Sequence, residues 1–183
     1  MKLYIPNTKQ KNIIIFDIEY DGSLLVQLAF LILTRTTEPN IYVLSKSVNL
    51  YVNQGRPLNS FFIKYTNITN DFLCDNGIDL SVARTFVMNN LLDIDPNNTT
   101  VVSHGIKNDL DILYNNGIDF KQMKEHYCTY NMAKKLLHRQ DLLSLKAVAS
   151  ESGYYMFNEH NAYADVWGTL HAFCYLKEKE QND

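Results

Sequence analysis

The segment Phe16-Asp17-Ile18-Glu19-Tyr20 places two acids directly behind an apolar run, Ile13-Ile14-Ile15-Phe16. In a strand, residues i and i+2 share a face, so Asp17 and Glu19 project together from the end of a strand that its apolar run marks as central. Two like charges side by side out of water are costly. A divalent cation relieves that cost, because hard cations take carboxylate oxygens as ligands. The alternative is that the strand has already ended and both acids are solvated. A third acid, Asp109, follows Val101-Val102 and the polar turn Ser103-His104-Gly105. It falls near a helix start, where the dipole favours a carboxylate; an ordinary first-turn acid satisfies the same rule. The last group is His160 and Asp165. If a helix begins near Asn161, Asp165 lies on its second turn and His160 stands just before it. Alone, that pair also fits a solvent-facing His and Asp.

These residues need elements to hold them. The run 13–16, bounded by Asp21-Gly22, reads as a buried strand. Residues 24–34 and 41–50 read as two more strands of a meander, and 53–57 as a polar loop. Residues 81–92 carry Val82, Phe86 and Leu91 at helical spacing. A fourth strand is expected over 99–103 and a helix over 107–116, stopped by Gly117. A short fifth strand is expected over 127–130, then helices over 132–138, 142–150 and 162–178, with 177–183 frayed. Strands first, then strands alternating with helices, predict a mixed α/β domain.

The composition bounds the function. With 183 residues, one domain is expected, spanning 1–183 with its core at about 12–178. Hydrophobic residues at 46% exclude a disordered chain. A net charge of −3 disfavours a purely electrostatic nucleic-acid binder, which should be basic. Cys74, Cys128 and Cys174 lie far apart, giving neither a disulfide framework nor a zinc ribbon. No apolar run reaches membrane-helix length, and the first eleven residues lack a signal-peptide layout. A cytoplasmic protein without membrane contact is expected.

Taken in order, the three groups resemble the DEDD superfamily of 3′→5′ exonucleases, in its histidine branch (DEDDh). Asp17 and Glu19 match the first motif, Asp-x-Glu. His104 to Asp109 matches His-x-x-x-x-Asp, and His160, Ala162 and Asp165 match His-x-Ala-x-x-Asp. Gly22 continues the first motif, Gln27 lies where an acidic or amide residue often stands, Asn67-Ile68-Thr69 resembles the Gly-Ile-Thr segment, and Leu143 and Leu145 the Leu-x-Leu pair. The tyrosine branch would need Tyr where Asn161 stands; Tyr155 and Tyr163 have the wrong spacing. Three departures surround the expected nucleotide pocket: Gly105 in place of Asn, Asn108 in place of an apolar residue, and Tyr20-Asp21 after the first Glu.

The resemblance implies a ribonuclease H-like fold, with a mixed sheet of about five strands flanked by helices. It implies hydrolysis at the 3′ end of single-stranded DNA or RNA, releasing nucleoside 5′-monophosphates. Two divalent cations, Mg2+ or Mn2+, would be held by Asp17, Glu19, Asp109 and Asp165, with His160 as the base. Tyr20, Gly22, Leu24 and His104 are candidate substrate contacts. For Tyr20 a surface position, and for Leu24 core packing, serve equally well. Lys134, Lys135, His138 and Arg139 form a basic helix face that is either a phosphate contact or simply solvated. The rival class is a catalytically silent binding or scaffold module on the same fold. A homodimer and a polymerase partner are both left open.

Overall fold

The computed structural model describes residues 1–182. Six strands form one sheet in the order β1-β4-β3-β2-β5-β6. They are β1 (Lys2–Tyr4), β2 (Asn12–Asp21), β3 (Leu24–Arg35), β4 (Ile41–Tyr51), β5 (Thr99–Ser103) and β6 (Glu125–Cys128). The first four pair antiparallel; β5 pairs parallel with β2, and β6 parallel with β5. The helices are α1 (Ser60–Thr66), α2 (Asn70–Asn76), α3 (Leu80–Leu91), α4 (Ile106–Asn115), α5 (Thr129–Leu137), α6 (Leu145–Glu151) and α7 (Ala162–Asn182).

The centre of the sheet is buried on both faces, and strand alternation sorts its side chains. Ile14, Phe16, Ile18, Leu28, Phe30 and Ile32 pack with Ala83 and Val87 of α3 and Leu110 and Leu113 of α4. Phe120 sets its ring edge-on to Phe16 and Phe30, with centroids 5.2 and 6.3 Å away. On the opposite face, Ile13, Ile15, Ala29, Leu31 and Leu33 pack with Ala162, Val166, Leu170 and Phe173 of α7. Asp17 and Glu19 continue the odd-numbered row, so they emerge on the α7 face. The paired rows there run Ile15↔Leu31, Asp17↔Ala29, Glu19↔Gln27: apolar layers give way to polar ones as the strand approaches the start of α7.

The expected strands 24–34, 41–50 and 99–103 appear within a residue or so, and the long last helix starts where expected. The sheet has six strands because β1, in a polar stretch, adds to the free edge of β4. The fifth expected strand lies two residues earlier, at Glu125–Cys128, and Thr129 and Tyr130 open α5 instead. The helix expected at 142–150 begins only at Leu145, where the Ser144 hydroxyl caps it by accepting from Ala147 N–H. Helices α1 and α2, seven residues each, come from a stretch whose pattern showed none; caps by Asn59 and Thr69 start them. The frayed tail is a correction. Helix α7 runs on to Asn182, and Leu176 and Lys177 are buried, the Lys177 ammonium over the Tyr127 ring and bonded to Glu180. Asp183 lies outside the described residues. Among the described residues all three cysteines are free, and no helix is long and apolar enough to cross a membrane.

Candidate active site

The chain brings its first and last acidic motifs together. Asp17, Glu19 and Asp165 each offer a carboxylate oxygen, and the three oxygens lie within 4.8 Å of one another. Asp17 and Glu19 come from β2; Asp165 comes from the first turn of α7. Asp109, in the first turn of α4, lies outside this set of three but close enough to repel Asp17 and Glu19, and it accepts a hydrogen bond from the buried Ser103 hydroxyl at the end of β5. Gly105 caps α4 with φ +99°, a left-handed backbone that favours glycine.

Burial raises every one of these carboxyls, and mutual repulsion adds to it at Asp17 and Glu19. Burial, with repulsion from Asp109, Asp165 and Glu19, pushes Asp17 well above the ordinary aspartate range. Burial and the neighbouring aspartates push Glu19 up to about 8. Burial lifts Asp165 to about 7 against a hydrogen bond from the His160 backbone, and Asp109 to about 6 against the Ser103 bond. Asp165 Oδ1 is buried without a hydrogen-bond partner, as is Thr169 Oγ1 one turn on. Clustered oxygens, raised pKa values and an orphaned carboxylate oxygen are what a cation-binding set needs. The residues fit a hard divalent ion.

His160 precedes α7 with φ +64°. It lines a cavity of about 270 Å³ with Asp17, His104, Ser144, Lys146 and Asp165. Its ring stacks on Tyr65 of α1, with centroids 3.8 Å apart, and Tyr65 stacks in turn on Phe61 at 6.1 Å. Phe61 is 74% exposed and Tyr65 51%. Both line a second cavity of about 450 Å³ that contains Glu19 and Tyr20. Phe61 and Tyr65 were not singled out from sequence. Their i, i+4 aromatic spacing just before Asn67-Ile68-Thr69 is the signal that points to them.

The remaining candidates divide. Tyr20 lines the cavity beside Glu19, and the carboxyls around it add to burial in raising its hydroxyl pKa. Asp21 accepts a 2.6 Å hydrogen bond from the Asn59 backbone, tying the end of β2 to the start of α1. His104 forms a cavity wall with both ring nitrogens engaged, by Thr129 Oγ1 at 2.9 Å and Leu143 O at 3.0 Å, and burial lowers its pKa. Gly22 and Leu24 sit at the β2–β3 turn, outside the linings of both cavities. The basic helix face is a correction: α5 ends at Leu137, His138 takes a left-handed φ of +51° beyond it, and Arg139 pairs with Asp141 and Glu151, so only the exposed Lys134 and Lys135 lie on the helix.

The frame of the site is a mixed sheet whose central strand delivers carboxyls to the start of a long helix. Comparison with known proteins narrows the class. The sequence profile of the RNase T exonuclease family matches residues 22–173. The chain belongs to that exonuclease family. The matched stretch begins after Asp17 and Glu19, so their membership of the site rests on geometry. No curated protein matches the chain by sequence. Among solved structures, Escherichia coli exonuclease I in complex with a dT13 oligonucleotide aligns with a TM-score of 0.72 at 15% identity, over 94% of this chain and 42% of that one. The nuclease domain of 3′hExo, a DEDDh family member bound to rAMP, aligns with a TM-score of 0.70 at 13% identity, over 94% and 93%. A 3′-exonuclease that recognises the histone mRNA stem-loop at its 3′ end aligns at 0.69 and 13%, over 93% and 65%. The chain thus spans less than half of exonuclease I and nearly all of the 3′hExo domain. These likenesses share the fold.

Proposed function

We propose that this chain is a single exonuclease domain that hydrolyses phosphodiester bonds from the 3′ end of an unpaired DNA or RNA strand. The observation that carries the reading is the convergence of Asp17, Glu19 and Asp165 oxygens within 4.8 Å, beside Asp109 and His160, in a member of an exonuclease family. Asp17, Glu19, Asp109 and Asp165 would hold two divalent cations, Mg2+ or Mn2+. Bound there, such ions would clamp the attacking and leaving oxygens and lower the pKa of the attacking water.

The chain's own groups do the rest. His160 accepts the proton of the attacking water; imidazole suits this because it gains and loses a proton near neutral pH. Water adds to phosphorus, the 3′ oxygen of the penultimate nucleotide leaves, and a nucleoside 5′-monophosphate is released. Tyr65 holds the His160 ring by stacking. Tyr20, Phe61 and Tyr65 offer ring faces to the terminal bases, and stacking tolerates any base. His104 walls the other cavity, while Gly22 and Leu24, outside both linings, shape the β2–β3 turn that follows Tyr20. That all four carboxyls are present supports the enzyme over a silent module.

The test is incubation of the full chain with 3′-labelled single-stranded DNA and RNA, with Mn2+, with Mg2+ and with chelator. Metal-dependent release of mononucleotides is the expected result. No release from either polymer with either metal would overturn the reading.

A further inference from the structure

We propose that Gln27 is a positioning residue, a neutral amide that fixes the start of α7 and thereby holds Asp165 and His160 in register with Glu19 and Asp17. The inference rests on the exonuclease reading and adds to it a residue outside the acidic motifs.

Gln27 is fully buried on β3, directly opposite Glu19 of β2, on the sheet face that α7 covers. Its Oε1 accepts the backbone N–H of Ala162 at 3.1 Å. Its Nε2 donates to Asn49 Oδ1 at 2.9 Å and to Asn161 Oδ1 at 3.4 Å. Asn161 Oδ1 also accepts from Tyr163 and Ala164 N–H, and its Nδ2 reaches the Tyr51 hydroxyl at 3.4 Å. Tyr51 is the β4 neighbour of Gln27. The first N–H groups of a helix have no partner within it. In α7, side chains of β3 and of the capping Asn161 satisfy three of them.

This arrangement does what packing alone does not. The contacts of Ala162, Val166 and Leu170 with the sheet are apolar and non-directional. Hydrogen bonds are directional, and they fix where along the sheet the helix begins. A slip of one residue moves a helix by about 1.5 Å, enough to take Asp165 out of the cluster. The amide also suits the charge: it donates and accepts at once.

The experiment compares Gln27→Leu, which removes both functions, with Gln27→Glu, which keeps the acceptor for Ala162. Folding is checked by circular dichroism and melting, Mn2+ binding by calorimetry, and kcat and KM on a single-stranded oligonucleotide. For folded Gln27→Leu, the expected result is at least tenfold weaker Mn2+ binding and a kcat loss of roughly 10- to 100-fold, with KM little changed. Gln27→Glu should recover most of the kcat. Wild-type Mn2+ affinity and kcat in Gln27→Leu would overturn the proposal, as would a Gln27→Glu variant no better than Gln27→Leu. Should Gln27→Leu not fold, Ala162→Pro removes the same bond from the donor side at the first helical position, where proline is tolerated, and is read by the same criteria. If the wild type binds Mn2+ but cleaves nothing, the exonuclease reading fails while the calorimetry still decides the role of Gln27.

Discussion

Asp17 is the acid on which the other three bear most directly, since Asp109, Asp165 and Glu19 all raise its pKa on top of burial. Replacing it with a neutral amide of the same shape removes a repulsion and a ligand together. Asp17→Asn should therefore abolish hydrolysis while the metal-free protein stays folded; a nuclease assay beside a thermal melt checks both, and wild-type rates would dismantle the metal-site assignment. In the proposed reaction His160 contributes through proton transfer rather than as a metal ligand. His160→Ala should cost roughly 10²–10⁴-fold in kcat, measured at saturating oligonucleotide. A loss under about threefold would mean that another group takes the proton.

At the scale of elements, α1 is the part that sequence patterning passed over and the site uses. Asp21 pins its start, and its exposed face carries Phe61 and Tyr65 towards His160. Base stacking on an aromatic ring contributes about 1–3 kcal/mol. Phe61→Ala should raise KM for an oligonucleotide roughly 5- to 100-fold on that basis and leave kcat within about twofold. Tyr65→Ala should lower kcat as well, because the imidazole loses its support; steady-state kinetics on one substrate separates the two, and a Tyr65 variant altered in KM alone would refute a role in holding His160. Strands β2 and β5 were legible because doubly buried strands write themselves as continuous apolar runs, and the acids after them stand out by contrast. Helices α1 and α2 were not, because two seven-residue helices held by caps and tertiary contacts leave too few turns for a periodic pattern. Strand β1 was hidden for a similar reason: three residues at an edge need little hydrophobicity. The convergence of Asp17, Glu19 and Asp165, with His160 beside them, was legible because motif order brings these residues together. The link from Gln27 to the start of α7 was not, since it spans residues far apart in sequence and shows only once the sheet is assembled.

For the molecule as a whole, the formal charge of −3 takes on a different meaning once the acids are placed. Three of them converge with Asp109 nearby, and on the proposed reading two divalent ions bound there would turn a mildly acidic protein into one near neutrality, with its positive charge at the strand end. The same burial and repulsion make metal-free stability depend on pH. Glu19, Asp165 and Asp109 titrate near 8, 7 and 6 in the folded chain, against ordinary values of 4.5 for Glu and 3.8 for Asp. Between about pH 4 and 8 the folded protein therefore binds more protons at this site than the unfolded chain does. Stability then falls as pH rises: the contribution of these groups is fully present below about 4 and is lost as pH passes through 6, 7 and 8. The melting temperature of metal-free protein should drop from pH 5 to pH 8, by roughly 2–4 °C for each kcal/mol lost. Asp17→Asn should flatten the slope, and Mn2+ should reverse it, since bound cations favour ionised carboxyls. Differential scanning calorimetry of both proteins across that range, with and without Mn2+, makes the comparison. A metal-free wild-type melting temperature that stays level or rises towards pH 8, with the same profile in Asp17→Asn, would mean that burial and repulsion do not raise these carboxyls in the folded chain.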